Sequence, residues 1–304
     1  MNYFILFFAV ACIAIQFSIN KFYQKRFVTN LKDMLFFPFV CGAIGALFFI
    51  ILGICMYGKL PAFSLFSLCL SFILAVISTL SCLIGILVMK YGKISAYSIF
   101  MMLGGMILPY FYGVLFLNEK ISLAQGIGMI ILICALPCTV VKLPDEKKGS
   151  SKFYYILCIL IFFLNGIVSI ISKTHSINIS AVPAENFIFY SNLWQTALTG
   201  IAYFIFASRL EQPQKADYEN IQKSRADNNL AFLTLTAYSV ISGIGFLFQL
   251  ISAKTTPAVI LYPFITSGSI VLSILLARVF FREKLRMFTI IGISLAIIGT
   301  LLCS

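Results

Sequence analysis

Leu117-Asn118-Glu119-Lys120-Ile121 closes one long apolar run, and 164 residues later Phe281-Arg282-Glu283-Lys284-Leu285 closes another. The same offset sets Lys90 on Lys254, Ser78 on Ser242, Ser98 on Tyr262 and Gly128 on Gly292. The chain therefore reads as two copies of one unit.

Each copy is built for lipid. Of all residues 61% are hydrophobic and only 11% charged, with a mean hydropathy of +1.02, far more apolar surface than a water-soluble domain can bury. Runs of about 18 or more apolar residues are long enough to cross a bilayer as helices. Ten are expected, near 3–19, 34–57, 64–89, 94–117, 121–141, 153–172, 184–207, 230–253, 257–280 and 287–303. The tails and loops between them leave no room for a soluble domain. Ala9-Val10-Ala11 has the form of a signal-cleavage site, but the apolar stretch before it is too short and no basic segment precedes it, so the first span is expected to stay attached.

Upstream, the copies align at a different offset: Ile19, Lys21 and Asp33 fall on Ile171, Lys173 and Glu185, 152 residues away. The difference places an insertion in the charged loop from Ser208 to Asn229, a solvated surface segment. The polar stretch 142–152 is the linker, so the expected units are a first five-helix repeat at 1–141, the linker, and a second repeat at 153–304. Five crossings is an odd number. The second copy must therefore run through the membrane in the opposite sense, which makes the fold an all-α polytopic membrane protein of ten helices in two inverted repeats, the plan of carriers that rock one half against the other.

Specific phrases narrow this further. The fourth span runs from Ser95 through a mid-helix Pro109 to Glu119, and the fifth carries Gln125-Gly126-Ile127-Gly128; the second copy keeps Arg282-Glu283-Lys284 and Gly292 to Gly299 but has Ser273 where the first has Pro109. Over its whole length the chain resembles the drug/metabolite transporter superfamily, whose repeating unit is the five-helix EamA domain. The resemblance implies a small-solute carrier whose central cavity is lined mostly by spans three, four, eight and nine. Spans one, two, six and seven act as gates, and five and ten lie at the periphery. It does not name a solute, because the family covers sugars, amino acids, nucleotide sugars, choline and drugs.

Polar side chains inside a span avoid lipid, so they mark the bundle interior. Tyr262, Thr266, Ser269 and Ser273 occupy one face of span nine, and Ser98, Met102, Gly105 and Pro109 answer them in span four. Close helix packing explains these stripes as well as cavity lining does. Span eight offers Tyr238, Ser242, Gly245 and Gln249, and span three Ser71, Ser78, Ser81 and Gly85. Gln249 is the sharpest candidate, since an embedded amide needs several partners, whereas a serine can bond its own helix. Gln16 and Asn20 lie one turn apart on span one, as do Asn165 and Ser169 on span six. Span seven holds Tyr190, Ser191, Trp194 and Gln195. Trp194, about ten residues into its span, reads as an aromatic cavity wall rather than an interfacial belt, a surface suited to cationic or ring-bearing solutes. The solute-contact set is thus Gln16, Asn20, Ser78, Ser98, Asn165, Tyr190, Trp194, Tyr238, Ser242, Gln249, Tyr262, Thr266 and Ser269.

Charged groups read as structural. Glu119 and Glu283 stand where a carboxylate favours the N-terminus of the following helix, Lys90 and Lys254 read as snorkelling ends, and His175 as an incidental loop residue. Glu185 and Asp33 sit at span entrances. No Asp or Glu lies mid-span, so the sequence gives proton coupling no support. All nine cysteines lie in apolar runs without a CxxC pair or a histidine cluster, and act as small fillers.

No metal site, cofactor or catalytic motif is read in the sequence, and an enzyme is not expected. The net charge of +12 is scattered over hairpin loops, which suits anionic lipid rather than nucleic acid. The expected partners are a small-molecule solute, membrane lipids and, as an option, a second copy in a homodimer; the expected location is the plasma (inner) membrane of a bacterium. The alternative to a carrier is a non-transporting scaffold or receptor, which needs only packing faces. Loops after the odd spans hold 18 of the 22 Lys and Arg. That bias puts them in the cytoplasm and both termini outside, against the family habit of cytoplasmic termini.

Overall fold

The computed structural model describes residues 3–28, 31–91, 94–140, 152–210, 221–281 and 287–303. The linker, apart from Lys152, and the Arg282-Glu283-Lys284 phrase lie outside the described residues. Ten helices run through the rest: α1 (Tyr3–Phe27), α2 (Leu31–Tyr57), α3 (Leu65–Tyr91), α4 (Ile94–Phe116), α5 (Leu123–Val140), α6 (Lys152–Ile177), α7 (Ala184–Leu210), α8 (Ile221–Thr255), α9 (Ala258–Phe281) and α10 (Met287–Cys303). No strand occurs among the described residues. In lipid every backbone polar group must be satisfied within the segment, which leaves the helix as the solution for a chain this apolar. Seven of the helices are long and apolar enough to span a membrane by length and composition, and α5 and α10 contribute shorter apolar helices. In α7 the polar side Asn186, Ser191, Asn192, Gln195 and Thr199 dilutes the hydropathy.

Hydroxyls inside the spans are largely spent on their own helices. Thr79 bonds the Ala75 carbonyl, Ser81 that of Ile77 and Thr300 that of Ala296, which removes the cost of carrying a hydroxyl in an apolar medium. The same device corrects one sequence expectation. His175 is not in a loop: α6 continues to Ile177, because Ser172 and Ser176 bond the carbonyls one turn back and the polar run stays helical. The expected loop from Ser208 to Asn229 is likewise shorter, since α7 reaches Leu210 and α8 begins at Ile221.

Helix neighbours respect the internal correspondence. α2 packs along α7, and α5 along α10; α1 lies against α8 and α9, as α6 lies against α3 and α4. The α5–α10 seam is close because Gly128 and Gly299 meet there: a Cβ on Gly128 would stand 2.8 Å from the Gly299 carbonyl, and one on Gly299 3.0 Å from that of Gly128. Absence of side chains lets backbones approach and dispersion act over the whole crossing. The outer faces are apolar and exposed, as at Leu47, Ile51, Ile201, Phe204 and Phe288. The inner faces converge on a central space.

Candidate functional site

That space is a cavity of roughly 410 Å³ lined from α1, α2, α3, α4, α6, α7, α8 and α9. Among the described residues none of α5 or α10 lines it, in keeping with the peripheral place the resemblance implies. Most of the lining comes from α3, α4, α8 and α9, as the resemblance implies; α6 adds Asn165, Val168 and Ser169, and α7 adds Ile188, Ser191, Asn192 and Gln195. Among the described lining residues none carries a charge.

Nine of the thirteen sequence candidates line this cavity: Gln16, Ser78, Asn165, Tyr238, Ser242, Gln249, Tyr262, Thr266 and Ser269. Several are already engaged. Gln16 Nε2 donates to the Tyr238 hydroxyl at 3.1 Å, Asn165 Nδ2 to the Met101 carbonyl at 2.7 Å and the Tyr262 hydroxyl to the Ser169 carbonyl at 2.5 Å. Ser242 and Ser269 bond carbonyls three residues back. These bonds fix the side chains that shape the walls.

Three candidates stand off the cavity. Asn20 accepts a hydrogen bond from Gln24 one turn on. The Tyr190 hydroxyl donates to the Ala62 carbonyl in the α2–α3 connection. Trp194 meets Phe72 of α3 edge-on with ring centroids 5.1 Å apart, and its buried indole N–H has no partner. The wall reading of Trp194 is therefore corrected: a helix shows one face to the cavity, and on α7 that face carries 188, 191, 192 and 195, which are three, four and seven residues apart. The side chain of Ser98 lies outside the described residues.

The residues missed are the amides of that face. Gln195 stands on span seven outside the solute-contact set, and Asn192, three residues before it, carries the same periodic signal. Among the described residues, the side-chain amides of Asn192, Gln195 and Gln249 carry no hydrogen bond to protein. Each amide has two donors and a carbonyl acceptor. Three of them on one uncharged cavity form a site that can bond donors and acceptors of a guest.

One turn beyond the cavity, at the end where the α4–α5, α6–α7 and α8–α9 connections gather, the side chains become charged. Lys173, only 4% exposed, donates to the carbonyls of Ala253 at 2.9 Å and Thr256 at 2.6 Å and lies 3.8 Å from Glu119. Glu119 accepts from the backbone N–H groups of Ala258 and Val259 at 2.8 and 3.0 Å. It thus favours a helix N-terminus as expected, but that of α9 rather than of the following α5, because the α4–α5 turn aims it across the bundle. Nearby, His175 is buried, bonded to the Ser67 hydroxyl at 3.1 Å and stacked on Phe187 at 3.8 Å. Ser67 Oγ also accepts from the Val182 N–H at 3.0 Å, which ties the same corner to the α6–α7 connection. His175 is a structural link between α3 and α6, not an incidental residue. Glu185 is also more than an interface carboxylate: it is 6% exposed, and its Oε1 has no partner.

The comparisons with known proteins agree with this architecture. The profile of the EamA-like transporter family matches residues 152–304. No curated protein matches the chain. A solved structure described only as "Crystal structure of protein" superposes with a TM-score of 0.72 at 15% identity, over 98% of this chain and 94% of that one. At that identity the likeness speaks for the fold.

Proposed function

Because the chain belongs to the EamA-like transporter family, we propose that it is a secondary carrier that moves a small organic solute of no net charge by alternating access through the central cavity. The observation that carries this is the lining: the open amides of Asn192, Gln195 and Gln249, the rings of Phe17, Tyr238 and Phe246, and no charged side chain among the described lining residues. A solute with a net charge would leave water for a site without a counter-charge, at a cost of several kcal/mol. A neutral or zwitterionic solute pairs its own donors and acceptors with the amides and lays its apolar part on the rings. A scaffold needs only packing faces, and three unspent amides on one cavity are not packing.

The cycle rests on two inverted units, 1–141 and 153–304, joined by the linker at 142–152, with access passing from one face to the other as the halves rock about the midplane site. We place the chain in the plasma membrane of a bacterium.

Thermal unfolding of the purified protein with glutamine, glutamate, lysine and uridine at equal concentration tests the solute class, since a ligand raises the melting temperature according to its affinity for the folded state. Glutamine or uridine is expected to stabilise. A shift with glutamate or lysine equal to that with glutamine overturns the charge rule. Proteoliposomes that exchange no member of a broad solute panel overturn the carrier reading.

A further inference from the structure

We propose that Lys173 and Glu119 are positioning residues for transport, forming a latch that shuts one end of the cavity and must part for that end to open. This rests on the carrier reading above.

The latch joins three corners distant in sequence. Asn118 takes a left-handed conformation (φ 52) and the Glu119 N–H bonds the Gly113 carbonyl at 3.0 Å, the helix-ending turn that asparagine tolerates well. This turn aims the Glu119 carboxylate at the first turn of α9, where both its oxygens are taken by backbone N–H groups. Lys173 arrives from the last turns of α6 and closes on the last carbonyls of α8. A negative group thus sits on a helix N-terminus and a positive one on a helix C-terminus, each matching the helix dipole it meets.

Energetics separate a latch from a brace. A permanent seam is best made of apolar or backbone contacts, which gain nothing from water when opened; the α5–α10 crossing is of that kind. A buried ion pair roughly balances its desolvation cost against its attraction. When this end opens, Lys173, Glu119 and the freed helix ends each recover hydration, so the closed and open states can lie close in free energy, as a carrier requires. In the closed corner the Ser252 hydroxyl is buried without a partner, a polar group this arrangement does not satisfy.

The placement fits as well. Ser169, one turn before Lys173, and Tyr262, one turn after Ala258, both line the cavity and bond each other across its floor. Parting the corner therefore opens that floor directly. Neither charge lines the cavity, so neither serves as a solute contact.

The test needs no solute. In a variant cleared of native cysteines, Gln249→Cys is labelled with a membrane-impermeant maleimide in vesicles of each orientation. From the face carrying the α4–α5 and α8–α9 connections, Glu119→Gln and Lys173→Met are each expected to speed labelling about tenfold and to slow it from the opposite face, as a shift between two states requires. The double variant is expected to be no faster than the faster single one, because both break one latch. Unchanged labelling from that face, or a rise equal from both faces, overturns the proposal. If either variant fails to fold, amide exchange in the unaltered chain decides: Ala258 and Val259 are expected to exchange faster than the α5–α10 seam, and equal protection overturns the latch. Solute exchange by proteoliposomes tests the carrier reading separately.

Discussion

Gln16 on α1 and Tyr238 on α8 join the two halves of the chain across the cavity wall, the amide nitrogen donating to the phenol oxygen at 3.1 Å. The Tyr238 ring is held independently by Phe37, edge-on at 4.7 Å. Tyr238→Phe should therefore keep its packing and lose one hydrogen bond, lowering stability by only about 1 kcal/mol. Gln16 would be left free to turn toward water or solute. The expected outcome in reconstituted transport is a raised KM with little change in melting temperature; a large drop in melting temperature would mean the pair is a structural tie.

The amide face of α7 gives a sharper contrast. Asn192→Ala removes an open donor and acceptor from the cavity, and a lost hydrogen bond to a bound solute costs about 1–3 kcal/mol, or roughly tenfold or more in affinity. Trp194→Phe, two residues on, changes the contact with Phe72 and deletes an indole N–H that has no partner. Transport is expected to fall at least tenfold in the first variant and to stay near wild type in the second. Equal losses would move the solute site toward α3.

This contrast marks what the sequence can carry. The all-helical class, the number of helices and the polar stripes of α8 and α9 were legible, because helical periodicity and hydropathy are local properties. Choosing the cavity face of α7 was not. Tyr190 and Trp194 outweigh their neighbours in bulk, and bulk says nothing about direction when both sides of a helix touch protein. Counting back three and seven from Gln195 would have found Asn192 and Ile188. The Glu119 cap on α9 had no local signal at all: the residues it joins are 139 and 140 positions apart, brought together only by how the bundle closes. Glu283, its counterpart, lies outside the described residues.

Close approach of α4 and α6 predicts a different kind of failure. A Cβ on Gly104 would fall within 1.9 Å of the Phe162 carbonyl oxygen and 2.6 Å of its carbon. Backbone cannot swing aside as a side-chain tip can, so Gly104→Ala forces the helices apart. The expected cost is about 3 kcal/mol, the upper part of the overpacking range, read as lost folded yield or a lowered melting temperature. Gly126 in α5 meets nothing within 4 Å; Gly126→Ala should be neutral or stabilise by up to about 1 kcal/mol through helix propensity. The reverse order in a melting experiment would contradict the α4–α6 seam.

Orientation is the last expectation open to a direct experiment. The odd-span loops hold 18 of the 22 basic residues, and basic residues near span ends are retained in the cytoplasm. With an even number of crossings both ends of the described bundle lie on the other face, together with the α2–α3 and α6–α7 connections. Ile179 in the α6–α7 connection is fully exposed, which makes it a clean reporter. In a variant without native cysteines, Ile179→Cys is expected to react with an impermeant thiol reagent in intact cells, while Ser150→Cys in the linker reacts only after the membrane is opened. The opposite pattern puts the termini in the cytoplasm and the Lys173–Glu119 corner with them. The face from which solute meets the latched end would then be the inner one, and the charge count would have been overruled by the folding of the paired repeats.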